Sequence, residues 1–183
     1  LATLSKSPRD LYKAQTLTDK TLSDVTAMQV NDLQFTQTDG SWTLTDDPDY
    51  PVSQSSIKKM ASTILQMQTA WTVTAPEADT AYGLDSPDVT AVLTFTDGTS
   101  LTVRFGNAVA AAADGSDGDS LCYLASDAAP TVVYEVNADS KLAYAVTKES
   151  LYEETANAET AASDPVAQYP VGGEDDYADS LPE

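Results

Sequence analysis

Histidine is absent from the 183-residue sequence, and Cys122 is its single cysteine. The lack of histidine excludes Ser-His-Asp triads, Cys-His pairs and most zinc sites. One cysteine cannot form an intrachain disulfide, and the apolar run Leu121-Cys122-Tyr123-Leu124 indicates a buried, unreactive thiol. Nucleophilic enzymes that depend on histidine and most zinc enzymes are therefore excluded, while Ser-Lys catalysis stays open with few lysines to supply it.

Basic residues are scarce, with 9 Lys and Arg against 29 Asp and Glu and a formal net charge of -20. Such a surface repels phosphate backbones and anionic lipid headgroups, so we expect no nucleic-acid partner and no direct binding to a membrane surface. We interpret the charge as a solubility feature. The alternative is that it recruits cations or a basic partner.

Long apolar runs are also missing, so the sequence predicts no membrane-spanning helix. It contains no signal peptide, P-loop or dinucleotide-binding fingerprint either. What is present is a hydrophobic fraction of 42% with 9 Tyr, 2 Trp and 3 Phe, enough for a packed core. The chain starts at Leu1, and we expect any membrane anchor to lie upstream of it.

Composition divides the chain into three parts. Residues 1–24 are polar with scattered apolar positions and indicate a lead-in or stalk. Residues 25–152 carry the periodic patterns of an α+β domain. Residues 153–183 contain many acids and no Lys or Arg, which is typical of an acidic C-terminal tail.

Strict apolar alternation over 89–95 and 101–105, joined by Asp97-Gly98, predicts a β-hairpin. The same reasoning predicts a meander from Val25 to Leu44 and further strands at 71–73, 121–125 and 132–136. We predict an antiparallel sheet of about six to eight strands, in two β-meander-plus-helix halves, with two main helices packed on it.

One helix is predicted after Ser53, a suitable N-cap, because the next apolar residues follow helical spacing: Ile57, Met60, Ala61, Ile64 and Leu65.

A second helix is predicted after Asn137, carrying Leu142, Ala145 and Val146, with Leu151 as a further candidate position. A short helical turn is predicted from Pro76 to Gly83. Residues 50–56 and 134–140 resemble each other, which indicates either an internal duplication or convergent capping chemistry.

Two aspartate clusters are the metal-site candidates, and both have oxygen ligands that suit Ca²⁺. The first is Asp46, Asp47 and Asp49; the second is Asp114, Asp117 and Asp119. Neither has EF-hand spacing, so we favour solvated turns, no metal site and no cofactor. Trp42 and Trp71 could stack on a sugar, but alternation in strands favours burial in the core.

Several motifs resemble the bacterial domain-of-unknown-function family 4340 over roughly residues 25–152. They are Gly40-Ser41-Trp42, the helix entry Pro51-Val52-Ser53-Gln54-Ser55, Tyr82-Gly83-Leu84-Asp85-Ser86-Pro87 and Val103-Arg104-Phe105-Gly106. The chain departs from the family after Gly106, where an alanine-rich run replaces a glycine-rich linker. We interpret residues 82–87 as a corner of the fold in which Leu84 enters the core.

The resemblance implies an extracytoplasmic domain behind an N-terminal membrane anchor or lipoprotein signal. Some members are encoded beside transporter genes of the gliding-motility type, and the family implies no catalytic residues. We therefore expect a non-enzymatic, membrane-tethered envelope module that binds a protein partner or scaffolds an assembly. The alternatives are a module that binds glycan or cell-wall material and, more distantly, a carboxylate-based hydrolase.

Overall fold

Eight antiparallel strands form one sheet in the part of the chain that the structure, a computed structural model, describes: residues 8–110 and 120–153. The strands are β1 (Val25–Val30), β2 (Leu33–Thr38), β3 (Ser41–Leu44), β4 (Thr69–Val73), β5 (Val89–Phe95), β6 (Ser100–Ala108), β7 (Leu121–Ser126) and β8 (Val133–Asn137). Their order across the sheet is β3-β2-β1-β5-β6-β7-β8-β4. The predicted α+β class with an antiparallel sheet is confirmed.

Tight turns join the strands of the two meanders. Asn31 and Asp39 adopt positive φ angles of 50° and 51°, and Gly40 and Gly98 adopt 82° and 79°. These residue types tolerate the left-handed region, so the turns close without a steric penalty from a branched side chain. The predicted hairpins are therefore confirmed.

The helix α1 (Gln54–Leu65) lies on the inner face of the sheet. Ser53 caps it, its Oγ accepting a hydrogen bond from the Ser56 backbone N–H at 3.4 Å. All five predicted apolar positions are buried, which confirms the helix and its orientation. Between α1 and the sheet, the Tyr144 ring packs 5.4 Å from that of Phe105, and its hydroxyl donates to the Met60 carbonyl.

The second predicted helix is wrong in length. The helix α2 (Asp139–Leu142) has four residues, and the Asn137 side chain accepts a hydrogen bond from the Asp139 N–H at its start. Leu142 is 69% exposed, and Tyr144 is buried instead. After α2 the chain forms a 3₁₀ turn, Glu149–Leu151, and then pairs with residues 51–53.

Two corrections apply to the corner before β5. Its helical turn is Asp79–Tyr82, so it begins three residues after Pro76, and Gly83 ends it as predicted with φ 69°. Leu84 is fully buried, but it packs against Gly106 on the outer side of the sheet rather than in the main core.

The lead-in segment contacts the rest of the domain over its described part. Thr16 pairs with Gln68 in an antiparallel bridge, and the Thr69 N–H donates to the Gln15 carbonyl at 2.9 Å beside the edge strand β4. At the opposite edge, the Gln54 amide bonds both the N–H and the carbonyl of Trp42 in β3, each at 2.7 Å. Both edges of the sheet are thus covered, which restricts further strand pairing.

Candidate interaction site

The first aspartate cluster does not converge on a point. The Asp47 carboxylate lies 2.7 Å from the Lys148 Nζ, while Asp46 and Asp49 are exposed. Over residues 8–110 and 120–153, no group of three or more His, Cys, Asp or Glu side chains is placed to hold a metal ion. Asp114, Asp117 and Asp119 lie outside the described residues, as does the predicted acidic tail beyond Glu153.

The two tryptophans have different environments. Trp42 is 1% exposed in the main core, and its Nε1 has no hydrogen-bond partner in the structure. Trp71 is half-buried on the outer face, where the Tyr12 ring lies 5.3 Å away and the Arg9 guanidinium lies 5.1 Å from its ring centre. Neither ring is presented as an open stacking platform.

The buried titratable side chains of the inner layer are held in their neutral forms. Burial raises the pKa of the Cys122 thiol, and it raises the pKa of the Tyr144 phenol further. Neither group has a basic side chain as a hydrogen-bond partner among the described residues. Both side chains pack in the core.

The outer face of the sheet, opposite α1, is covered over β6, β7, β8 and β4; we call this half the covered half. Glu135 lies at its centre, 4% exposed, and is in register with Trp71 on one side and Tyr123 on the other. Arg9 closes over Glu135 with two hydrogen bonds of 2.7 and 2.9 Å. Of the side chains that the structure describes, that of Glu135 is the one buried carboxylate.

The corner at residues 79–88 covers the adjoining part of the covered half. The Tyr82 and Tyr123 rings meet edge-on at 4.8 Å, and the Arg104 guanidinium donates to the Leu84 carbonyl at 2.5 Å. Burial and the nearby Glu135 charge raise the pKa of Tyr123. A Cβ on Gly106 would lie 2.2 Å from the Tyr82 carbonyl, so glycine permits this close approach.

On the other half of the outer face, over β3, β2, β1, β5 and the start of β6, the described side chains are exposed or half-buried and no described segment packs over them; we call this half the open half. Strand alternation places a set of uncharged residues on it: Ala27, Gln29, Gln34, Thr36, Thr43, Thr90, Val92, Thr94 and Thr102. Arg104 and Asp127 border it on the β6 side. A depression of about 180 Å³ lies between β1, β2 and β5 on this half.

No site on the outer face of the sheet was predicted from the sequence. Glu135 stands in the apolar strand between Tyr134 and Val136, and an acid at such a position was the available signal. Its partner Arg9 is 126 residues away and has no pattern of its own. The open half was hidden for another reason, because a threonine that alternates in a strand is common in any sheet.

One protein-family model matches the part of the chain that contains most of these features. The family model described as Domain of unknown function (DUF4340) matches residues 42–157, well over half of the chain. The chain belongs to this family. No curated protein and no solved structure matches it.

The matched range of the DUF4340 domain begins in β3, although β1 and β2 belong to the same sheet. It contains the helix entry with Ser53 and Gln54 and the corner with Gly83 and Leu84. The structure gives these four residues roles in capping, edge bonding, a positive φ angle and burial. Across the described residues, no helix is long and apolar enough to cross a bilayer.

Proposed function

We propose that this DUF4340 domain is a non-enzymatic, extracytoplasmic module, tethered to the membrane, that binds a protein partner or scaffolds an assembly through its open half. The observation that carries the proposal is a surface of uncharged side chains across β3, β2, β1 and β5, bordered by Arg104 in β6, in a chain whose net charge is -20. A partner that docks there meets no row of carboxylates to desolvate.

The chemistry of the open half suits a protein surface. Threonine hydroxyls and glutamine amides both donate and accept hydrogen bonds, while Ala27 and Val92 add apolar contact. Non-obligate protein interfaces are about as polar as the rest of a protein surface. A face that spans several strands also provides contact area for a protein partner, which does not need a deep pocket.

The competing functions have less support. Glycan binding would use an exposed aromatic ring, but Trp71 is covered by Tyr12 and Arg9. Tyr152 is 54% exposed, but its ring packs edge-on against that of Tyr50 at 5.8 Å. Hydrolysis would use two carboxylates across a cleft, whereas the Glu135 carboxylate is bonded to Arg9. The extracytoplasmic, tethered location in the cell envelope rests on the family alone, and fractionation of cells that carry the whole gene tests it.

Site-specific photo-crosslinking in the native bacterium tests the binding surface. A benzophenone amino acid at Gln34, on the open half, is expected to give a discrete adduct with one protein. The same group at Lys58, exposed on α1, is the matched control and should give none. The adduct should disappear when Thr94→Asp places a charge in the middle of the open half.

Three results would contradict the proposal. They are adducts that are equal at the two positions, an adduct at Gln34 that survives Thr94→Asp, and retention of the purified domain on insoluble cell wall in place of a protein adduct. Retention on insoluble cell wall would favour the glycan-binding function.

A further inference from the structure

The covered half contains a built receptor for an extended peptide segment. At its centre is the buried Glu135 carboxylate, flanked by the rings of Trp71 and Tyr123. Beside it, Thr69 and Thr72 of the edge strand β4 present hydroxyl groups. An ionised carboxylate that is buried needs a hydrogen-bonded cation, so a segment that covers this surface must supply one.

Residues 8–17, which we call the strap, fill the receptor in this structure. Arg9 forms the bidentate pair with Glu135. The Tyr12 hydroxyl lies 2.7 Å from the hydroxyls of both Thr69 and Thr72. Gln15 and Thr16 then pair with β4 as an added strand.

The strap is held by polar anchors and edge pairing. From Pro8 to Thr16 it contributes no residue to the buried core of the described chain, and Leu11 is 64% exposed. The side chain of Arg9 is itself 53% exposed. Removing the strap would uncover the Trp71 ring and the core surface against which Leu17 packs. It would also leave the Glu135 carboxylate without its cation, and a second strap restores all of these contacts.

We propose that the strap is exchangeable and that the covered half accepts the strap of a second copy of this chain, so that Arg9 of one copy pairs with Glu135 of another. A second copy carries the same strap, and the structure shows how a strap fits the covered half. Its residues form hydrogen bonds with all the polar groups described above. Exchange of an identical element between protomers creates a dimer at low cost, since the same contacts form in both states. This inference concerns the covered half and is independent of a partner at the open half.

Disulfide trapping distinguishes exchanged straps from unexchanged ones. Thr16 and Gln68 face each other across an antiparallel bridge, and the adjacent Gln15 and Thr69 carry the hydrogen bond. Thr16 and Gln68 therefore form a non-hydrogen-bonded pair, whose side chains lie close together. A cysteine at each position places the two thiols within reach of a disulfide.

Thr16→Cys and Gln68→Cys are introduced in separate full-length chains that both carry Cys122→Ala, and the chains are mixed in a glutathione redox buffer. The mixture is held at about 1 mM, because a short tether gives the unexchanged strap an effective concentration in the millimolar range. We expect a mixed disulfide that joins positions 16 and 68 of different chains, identified by peptide mass. Lys58→Cys mixed with Thr16→Cys is the control and should give no such link.

Both cysteines in one chain provide the second measurement. If that chain oxidises internally while the mixture gives no mixed disulfide, the strap lies where described but does not exchange, and the proposal fails. If that chain does not oxidise, the strap does not pair with β4 and the proposal fails at its first step. Neither result affects the proposed role of the open half.

A charge-reversal pair tests the same exchange without cysteines. Arg9→Glu and Glu135→Arg each destroy the ion pair within a chain, but a dimer with exchanged straps matches opposite charges at both sites. Gel filtration should show a dimer for the mixture and monomers for each variant alone. The chain with both substitutions, which restores the pair internally, is the control for folding.

Discussion

At the scale of single residues, the Gln54 side chain completes the exposed edge of the sheet. Its amide accepts a hydrogen bond from the Trp42 N–H and donates one to the Trp42 carbonyl, as a neighbouring strand would. Because Gln54 is the first residue of α1, the same side chain also fixes the helix against β3. This dual role explains a glutamine in the helix entry.

We expect Gln54→Met to destabilise the domain by about 1–3 kcal/mol, since it leaves two backbone groups of a partly buried edge without partners. Methionine keeps the length and helix propensity of the side chain, so the loss reports on the hydrogen bonds. Urea denaturation followed by tryptophan fluorescence measures the change. Lys58→Ala, exposed on the same helix, should stay within about 0.5 kcal/mol of the natural chain; equal effects would refute the role of Gln54.

Local chemistry made some single residues predictable and left others hidden. Ser53 and Gly83 follow from capping and positive-φ rules that need only their sequence neighbours. The Arg9–Glu135 pair depends on a contact across 126 positions, which a single sequence does not encode in any local pattern. The covered half was missed because it consists of such long-range contacts.

At the scale of elements, the same apolar spacing gave opposite outcomes in α1 and after Asn137. In α1 a full stripe of five residues meets the sheet and stabilises twelve helical residues. After α2 the chain must reach residues 51–53, where the Ser53 N–H donates to the Leu151 carbonyl at 2.7 Å and the Glu153 N–H donates to the Pro51 carbonyl at 3.0 Å. This tertiary pairing overrides the helical pattern, which explains why the strands and α1 were predictable and the final helix was not.

The two leucines of this region allow a matched test. Leu151 is 1% exposed within the main core, whereas Leu142 is 69% exposed. We expect Leu151→Ala to cost about 2–5 kcal/mol and Leu142→Ala less than about 0.5 kcal/mol, as measured by urea denaturation. The long helix predicted from the sequence would instead bury both, so similar losses for the two variants would restore that prediction.

At the scale of the whole molecule, the charge of -20 opposes the compact state through self-repulsion. Four of the five ion pairs among the described residues relieve little of this, because they join partly exposed side chains: Lys20 with Asp97, Arg104 with Asp79, Lys141 with Asp88 and Lys148 with Asp47. Each such pair contributes about 0–1 kcal/mol. The net electrostatic term of the folded chain is therefore repulsive.

Salt should consequently stabilise this domain. The Debye length falls from about 30 Å at 0.01 M salt to about 8 Å at 0.15 M, which screens repulsion across the molecule more than contacts between touching charges. We expect the thermal midpoint to rise when NaCl is raised over this range, as followed by circular dichroism. A falling midpoint would mean that the ion pairs outweigh the repulsion.

Calcium separates screening from specific binding in the same experiment. At matched ionic strength, CaCl₂ should give the same midpoint as NaCl, because Asp47 is bonded to Lys148 and the described carboxylates do not converge. A cation that binds the native state raises the midpoint with its concentration, beyond the effect of ionic strength. An additional rise of the midpoint at millimolar calcium would therefore show that this chain has a metal site. If the additional rise is lost in Asp114→Asn or in Asp49→Asn, the variant that loses it identifies the aspartate cluster that binds the calcium.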